Sequence, residues 1–287
     1  MLAASAYCNE HIVMSRTIAA ALVRLVRVAV SPFSRRQQCR ISAGVIDGIQ
    51  KRNIAAIDTR WGELKMLRLR SAHCANAAER FFTDEPETLD WIDGFDNGDV
   101  LMDVGANIGT YSLYGALNPN ITMIAIEPNG INFGVSTEHI ATNDLGPRVY
   151  PFCIALGAGP AITQLHMSQT EAGAGGSSIG DAYAELRQQQ PVFSQAMLTY
   201  SIDKLVTEFS LPAPRHIKID VDGTDQDTIA GPTTTLKNVH SVLVEIEHRG
   251  KREVESTTAV PLRKTSLVED VRGRAGSERN RIYVRAA

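Results

Sequence analysis

The sequence predicts an α/β fold, a mostly parallel sheet with helices on both faces, from three stretches. In Val100–Leu113, VLMDVGANIGTYSL, a near-continuous apolar run enters a glycine-bracketed turn and then a helical pattern. A strand buried on both faces reads that way. Ile121–Ile126, ITMIAI, is a second such run, ending at Glu127-Pro128-Asn129. In the third, Ile217, Ile219 and Val221 alternate with Lys218, Asp220 and Asp222 before Gly223, a strand with carboxylates at its tip. Helical patterns follow the first two runs, as a parallel sheet requires.

From the start of the chain, Met1–Met14 lacks the basic segment of a secretory signal, so a cytoplasmic protein is expected. Thr17–Val30 is strongly apolar but carries Arg24 and Arg27, and is too short and too charged to span a bilayer. It reads as a helix packed on the main domain. Its alternative is peripheral membrane contact through residues 17–40, with Arg35, Arg36 and Arg40 toward anionic lipid. Ile41–Arg80 is mixed, with Ile54, Ile57, Trp61, Leu64, Leu67 and Leu69 hinting at a small packed unit. A boundary is expected near Thr83–Pro86, dividing a partly helical extension, 1–85, from the main domain, 86–287. Glu87–Phe95 then reads as a helix and Asn97-Gly98-Asp99 as the turn into the first strand.

Beyond Glu127, Ile131–Asn143 fits a helix and Val149–Leu156 a strand, with Pro151 arguing for an edge or bulge. Ala161–Met167 reads as a hairpin strand. Ala172–Ser178, AGAGGSS, reads as a surface loop or a lid. Ser241–Ile246 is another strand, followed by Glu247 and His248. Arg249–Arg281 is rich in charge with basic residues in excess, which suits a solvated surface, a disordered segment or recognition of a phosphate-bearing carrier.

Composition bounds the function. With 287 residues and 44% hydrophobic content the chain can bury a full α/β core. A charge of −3, from 29 Lys+Arg and 32 Asp+Glu, does not advertise nucleic acid as a partner. Cys8, Cys39, Cys74 and Cys153 are scattered without a C-x-x-C pair, as free thiols of a reducing compartment would be.

The chemistry centres on the first turn. Asp103 lies near the carboxyl end of its strand, beside the crevice where open α/β sheets bind ligands. Gly105 and Gly109 allow positive φ and close approach of backbone to ligand. Gly105-x-x-x-Gly109 is not the G-x-G-x-x-G of a dinucleotide site, which disfavours a pyrophosphate and an NAD-linked oxidoreductase. Glu127, at the tip of the next strand, can accept both ribose hydroxyls of a nucleoside. A ribose acceptor without a pyrophosphate cradle suggests S-adenosylmethionine. Asn132, about one turn past that tip, falls near the adenosine.

The runs DVGANIGTYSL, EPN at Glu127–Asn129 and IKIDVDG at Ile217–Gly223, in this order, resemble the FkbM family of S-adenosylmethionine-dependent methyltransferases. The resemblance extends with gaps from about Pro86 to about Glu247 and returns at Asn280–Arg285. It implies a Rossmann-like class I methyltransferase fold with a seven-stranded sheet. It also implies O-methylation of a hydroxyl on a sugar, glycolipid or polyketide-like metabolite. Asp103, Gly105, Asn107, Gly109, Glu127, Asn132 and Ala155 would form the cofactor half, Ala155 lying on the segment that often flanks the adenine. Asp220, Asp222 and His248 would form the acceptor half.

Methyl transfer is an in-line displacement for which orientation is worth about 7–11 kcal/mol. A positioned base adds roughly 10²–10⁴-fold when the acceptor is an alcohol. Asp222 or His248 is favoured as that base, with Asp220 nearer the cofactor. Clustered carboxylates could also bind magnesium, although no spacing demands it, and Asp220-Val221-Asp222-Gly223 fits neither an EF-hand nor the motifs of DNA methyltransferases. The rival readings are a nucleoside-binding protein of the same fold without turnover, and a methyltransferase with a nitrogen acceptor.

Overall fold

The computed structural model describes residues 17–180, 189–221, 233–246, 260–270 and 279–286. The chain divides into two compact units, Met1–Asn53 and Ile54–Ala287. In the first, residues 17–30 form α1 and Arg35–Arg52 form α2. Ser34 starts α2 through a capping box with Gln37, and α2 buries none of its residues. Among the described residues, no helix is long and apolar enough to cross a membrane.

The second unit opens with an antiparallel hairpin, β1 (Ile54–Thr59) and β2 (Gly62–Leu67), followed by α3 (Ala72–Glu79). Leu64, Met66, Cys74 and Phe81 of this stretch are buried in one core cluster with Leu101, Leu113 and Ile140. His139 accepts the Leu67 N–H at 2.9 Å, and Asn143 accepts that of Lys65 at 2.8 Å. Residues 54–85 therefore share the core of the main sheet. The compact-unit boundary falls at Asn53–Ile54, whereas composition places it near Thr83–Pro86.

Next come α4 (Pro86–Asp93), β3 (Val100–Val104), α5 (Thr110–Leu117), β4 (Thr122–Ile126), α6 (Gly130–Thr142) and β5 (Val149–Phe152). The single strand expected over 149–156 breaks at Cys153-Ile154. Pro151 sits on β5, at the sheet edge where a missing N–H is tolerated. The continuation, β6 (Ala155–Leu156), leaves for a second sheet with β7 (Ala161–Met167), β8 (Ser177–Ile179) and β9 (Phe193–Tyr200), ordered β6-β9-β7-β8.

The main sheet is completed by β10 (His216–Ile219), β11 (Ser241–Glu245), β12 (Leu267–Glu269) and β13 (Asn280–Arg285). Its seven strands run β12-β13-β11-β10-β3-β4-β5. Neighbours from β11 to β5 are parallel, and β13 is antiparallel to both β11 and β12. This is the mixed, mostly parallel Rossmann-like sheet that the resemblance implies. The chain winds outward from β3 through β4 to β5 on one side, then returns to place β10 on the other. The carboxyl ends of β3 and β10 therefore flank the point where strand order reverses, the place where such sheets bind ligands. One core lies under α5 and α6 on one face of the sheet. The other, with Ile202, Leu205, Leu236 and Leu262, lies on the opposite face.

Candidate active site

At the switch point the backbones after β3 and β10 touch. Gly105 has φ +82°, and a Cβ there would stand 1.8 Å from the Asp220 carbonyl oxygen. Only glycine fits, both for its conformation and for that contact. Gly105→Ala is expected to cost at least about 3 kcal/mol, from a strained backbone plus the clash, and to be seen as a large drop in thermal midpoint. Gly109, φ +88°, begins α5 and would drive a Cβ to 2.7 Å from Ser136 Oγ, so it serves packing of α5 on α6. His139 steadies the turn from the far side, its Nδ1 2.9 Å from the Ile108 carbonyl oxygen.

An open cavity of about 280 Å³ lies over these strand ends. Gly105, Asn107, Glu127, Asn132, Ala155 and Asp220 all line it. The Glu127 oxygens each accept one backbone N–H, from Asn107 at 2.7 Å and Asn129 at 2.8 Å. Each retains a lone pair for a further donor. Burial pushes the Glu127 carboxyl up to about 7, against the two N–H bonds that pull it down. Asn107, at φ +52°, has a buried Oδ1 with no partner.

Asn132 is 3% exposed and holds a loop. Its Oδ1 accepts the Gly173 N–H at 2.8 Å and its Nδ2 donates to the Ala174 carbonyl at 3.1 Å. Ser71 Oγ donates to the Ala172 carbonyl at 2.5 Å. The glycine-rich stretch is thus pinned as a wall of the cavity, which Ala174 through Ile179 line. Gln195 of β9 ties down the Glu127 turn, accepting the Gly130 N–H at 3.0 Å and donating to the Pro128 carbonyl at 3.0 Å.

Asp103 is elsewhere. It is 1% exposed and does not line the cavity; its Oδ2 accepts the Ser112 hydroxyl at 2.6 Å. Val104, the last residue of β3, takes the ligand side, and strand alternation turns Asp103 away from it. Burial raises the Asp103 carboxyl, while Lys218, its register partner on β10, pulls it down.

Lys218 is 1% exposed and donates to Asp220 Oδ2 at 2.7 Å, with the Tyr111 ring 5.1 Å away. Burial opposes its charge, but Asp220, Glu85 and Asp103 outweigh that and hold the ammonium protonated. Asp220 in turn hydrogen-bonds Glu245, which pairs with Arg279. Burial works against ionisation of Asp220, yet Lys218, Glu245 and Arg279 together keep its carboxyl below the usual range. Burial and the bond to Asp220 push Glu245 up to about 9. At neutral pH the proton of the pair therefore resides on Glu245 and the charge on Asp220.

A second cavity of about 340 Å³ adjoins the first. The two share Glu85, Gly105, Asn107, Asp220 and Arg279. The second adds Arg80, Asp84, Tyr111 and Lys218. Sequence reasoning missed Glu85, Lys218 and Arg279 as site residues. For Lys218 a signal existed, a lysine at an inward position of a buried strand.

Asp222 and His248 lie outside the described residues. His216 sits at the other end of β10, bonded to Asp99 at 2.8 Å and Ser241 at 2.7 Å and stacked on Phe95, a structural role. In the carboxyl segment, Arg281 pairs with Glu269 at 2.7 Å and Arg285 donates to backbone carbonyls. Cys39, Cys74 and Cys153 are free thiols, and Cys8 is outside the described residues. Among the described residues no group of three or more His, Cys, Asp or Glu is arranged to hold a metal ion.

Residues 103–272, more than half of the chain, match the family described as Methyltransferase FkbM domain. Over 153 residues the chain is 31% identical to the hexuronic acid methyltransferase AglP of Haloferax volcanii, covering 53% of this chain and 57% of that protein. The chain thus spans little more than half the length of this relative. Among solved structures, it is similar to the precorrin-6y C5,15-methyltransferase of Geobacter metallireducens, at 11% identity and a TM-score of 0.40, over 70% of this chain and 87% of that one. It is also similar to M. capricolum TrmK in complex with S-adenosyl-homocysteine, at 7% identity and a TM-score of 0.38, over 68% of this chain and 65% of that one. Scores this low add nothing to what the strand order already shows. On the family match across most of its catalytic sheet, the chain belongs to the FkbM family of S-adenosylmethionine-dependent methyltransferases.

Proposed function

We propose that this chain transfers a methyl group to a hydroxyl oxygen of a sugar-type acceptor, free or carried on a lipid or polyketide-like metabolite. The observation that carries the reading is that Asp220 lines both cavities at the strand switch point. Glu127 would take the ribose hydroxyls of the cofactor, Ala155 and Leu156 would lie against its adenine, and Gly105 leaves space for its chain beside Asn107. That group supplies an electrophilic methyl on a sulfonium, so the protein's task is mainly to position the acceptor oxygen.

In the second cavity Arg80, Lys218 and Tyr111 offer donors and an aromatic face, while Asp84, Glu85 and Asp220 offer acceptors. That mixture suits a polyol. Asp220 would orient the acceptor O–H and take its proton on a carboxylate oxygen. Its low pKa does not forbid this, because the hydroxyl becomes strongly acidic only as the new C–O bond forms. Lys218 fixes the carboxylate, and Glu245 keeps its neighbour's charge localised. A sugar is further supported by the relative named as a hexuronic acid methyltransferase.

Incubation with methyl-labelled S-adenosylmethionine and a panel of hexoses, hexuronic acids and glycolipids tests this. Label is expected on a sugar in base-stable form, as a methyl ether. Label lost in mild base would be a carboxyl ester and would contradict the hydroxyl acceptor, and label on an amine would favour the nitrogen-acceptor reading.

Glu127 adds a pH dependence. Its folded pKa of about 7 lies above the ordinary 4.5, so the protein without ligand keeps a proton that the unfolded chain loses. As pH rises from the unfolded to the folded value, this group therefore costs stability. Ribose hydroxyls donate best to the ionised form, so binding should release a proton below pH 7. S-adenosylhomocysteine affinity is expected to rise about tenfold between about pH 6 and pH 8, and to be flat in Glu127→Gln. A flat profile in the unsubstituted protein would remove Glu127 from the ligand.

A further inference from the structure

Charge is divided unevenly along this chain. Before Ile54 there are eight Lys+Arg against two Asp+Glu, and from Ile54 onward 21 against 30. The basic excess falls on two helices whose apolar faces are uncovered. In α1, Ile18, Leu22 and Leu25 follow helical spacing, with Arg24 and Arg27 on the other side. In α2, Ile41, Val45 and Ile49 share a face, with Ile46 beside it, while Arg36, Arg40 and Lys51 lie opposite. These apolar side chains are 38% to 68% exposed. A helix with a wide apolar face and an arginine-rich polar face suits the boundary between headgroups and acyl chains.

We infer that α1 and α2 form a docking surface for an anionic lipid membrane. Charge complementarity decides the partner. A second copy would bring an equally basic surface against this one, whereas phosphate-bearing headgroups neutralise it while the acyl boundary takes the isoleucines and leucines. The observation is independent of the methyl-transfer reading, since none of these residues lines either cavity at the strand switch point.

Flotation of the full chain tests the inference, using phosphatidylcholine vesicles with and without about one-third phosphatidylglycerol. The protein is expected to float with the anionic vesicles and to remain below with the neutral ones, and high salt should release it. Substituting Arg24→Glu, Arg27→Glu, Arg36→Glu and Arg40→Glu together should lower the bound fraction at least about tenfold, since each arginine contributes to surface attraction. A Leu22→Ser, Leu25→Ser, Ile46→Ser variant should do likewise. S-adenosylhomocysteine affinity and the circular-dichroism spectrum serve as folding checks and should be unchanged. Absence of flotation, equal flotation on both vesicles, or flotation untouched by the substitutions would overturn the proposal. So would a dimer in solution that the serine variant dissociates, because the apolar faces would then belong to a second copy.

Discussion

Glu127→Ala is expected to weaken S-adenosylhomocysteine binding by roughly 100-fold or more. Two ribose hydroxyls donating to an ionised carboxylate are worth about 1.5–3 kcal/mol each, and the substitution also strands the Asn107 and Asn129 N–H groups that this carboxylate accepts. Losing them loosens the turn that carries Gly105 and the start of α6 that carries Asn132. Glu127→Gln should fall between, since one amide oxygen can still accept while the amide nitrogen cannot. Isothermal titration checks both variants. Affinity within about threefold of the original for Glu127→Ala would place the ribose elsewhere, because so small a change is under the worth of a single such bond.

Asp220→Asn should act on the other quantity. Turnover is expected to fall about 10²–10⁴-fold, the contribution of a positioned base, with cofactor affinity changed only a few-fold. The substitution also leaves Lys218 buried without its hydrogen-bonded anion, and breaking one side of a buried pair costs about 3–5 kcal/mol. A lower thermal midpoint is therefore expected together with the loss of turnover. The assay belongs well below that midpoint, where the folded fraction is the same for both proteins. A variant that binds cofactor, stays folded and keeps full turnover would return the base to Asp222 or His248.

Much of this site is written in short local signals. An apolar strand, a glycine turn and a helix start fall within Val100–Leu113, and a strand ending in Glu127 follows soon after. Such signals need no knowledge of distant residues, which is why Gly105, Asn107 and Glu127 can be read from the chain alone as neighbours in space. Partners that meet only through topology are a different matter. Asn132 can be placed near the adenosine from its position past the strand tip, but nothing local shows that it holds the Gly173 loop, 41 positions later. Glu85, Glu245 and Arg279 come from three separate stretches of chain, and nothing in their local sequence joins them to Asp220.

Asp103 shows a subtler limit. A carboxylate near a strand end can face the ligand or the layer of helices, and one residue of register decides between them. Here Ser112 and Lys218 draw it to the helix side. The single strand expected over 149–156 fails for a related reason, since apolar character continues past the point where the chain changes sheets. β9, which supplies Gln195, alternates too irregularly to stand out and is legible mainly through its pairing with β7.

The central claim, that the cavity over β3 and β4 holds S-adenosylmethionine through Glu127, is tested most directly by calorimetric titration. The purified chain and its Glu127→Ala variant would be titrated with S-adenosylmethionine, S-adenosylhomocysteine and NAD, with and without magnesium. Saturable binding of the first two to the unsubstituted chain, and its loss in the variant, is the predicted result. Binding of NAD alone, or binding of S-adenosylmethionine that the variant retains in full, would contradict it.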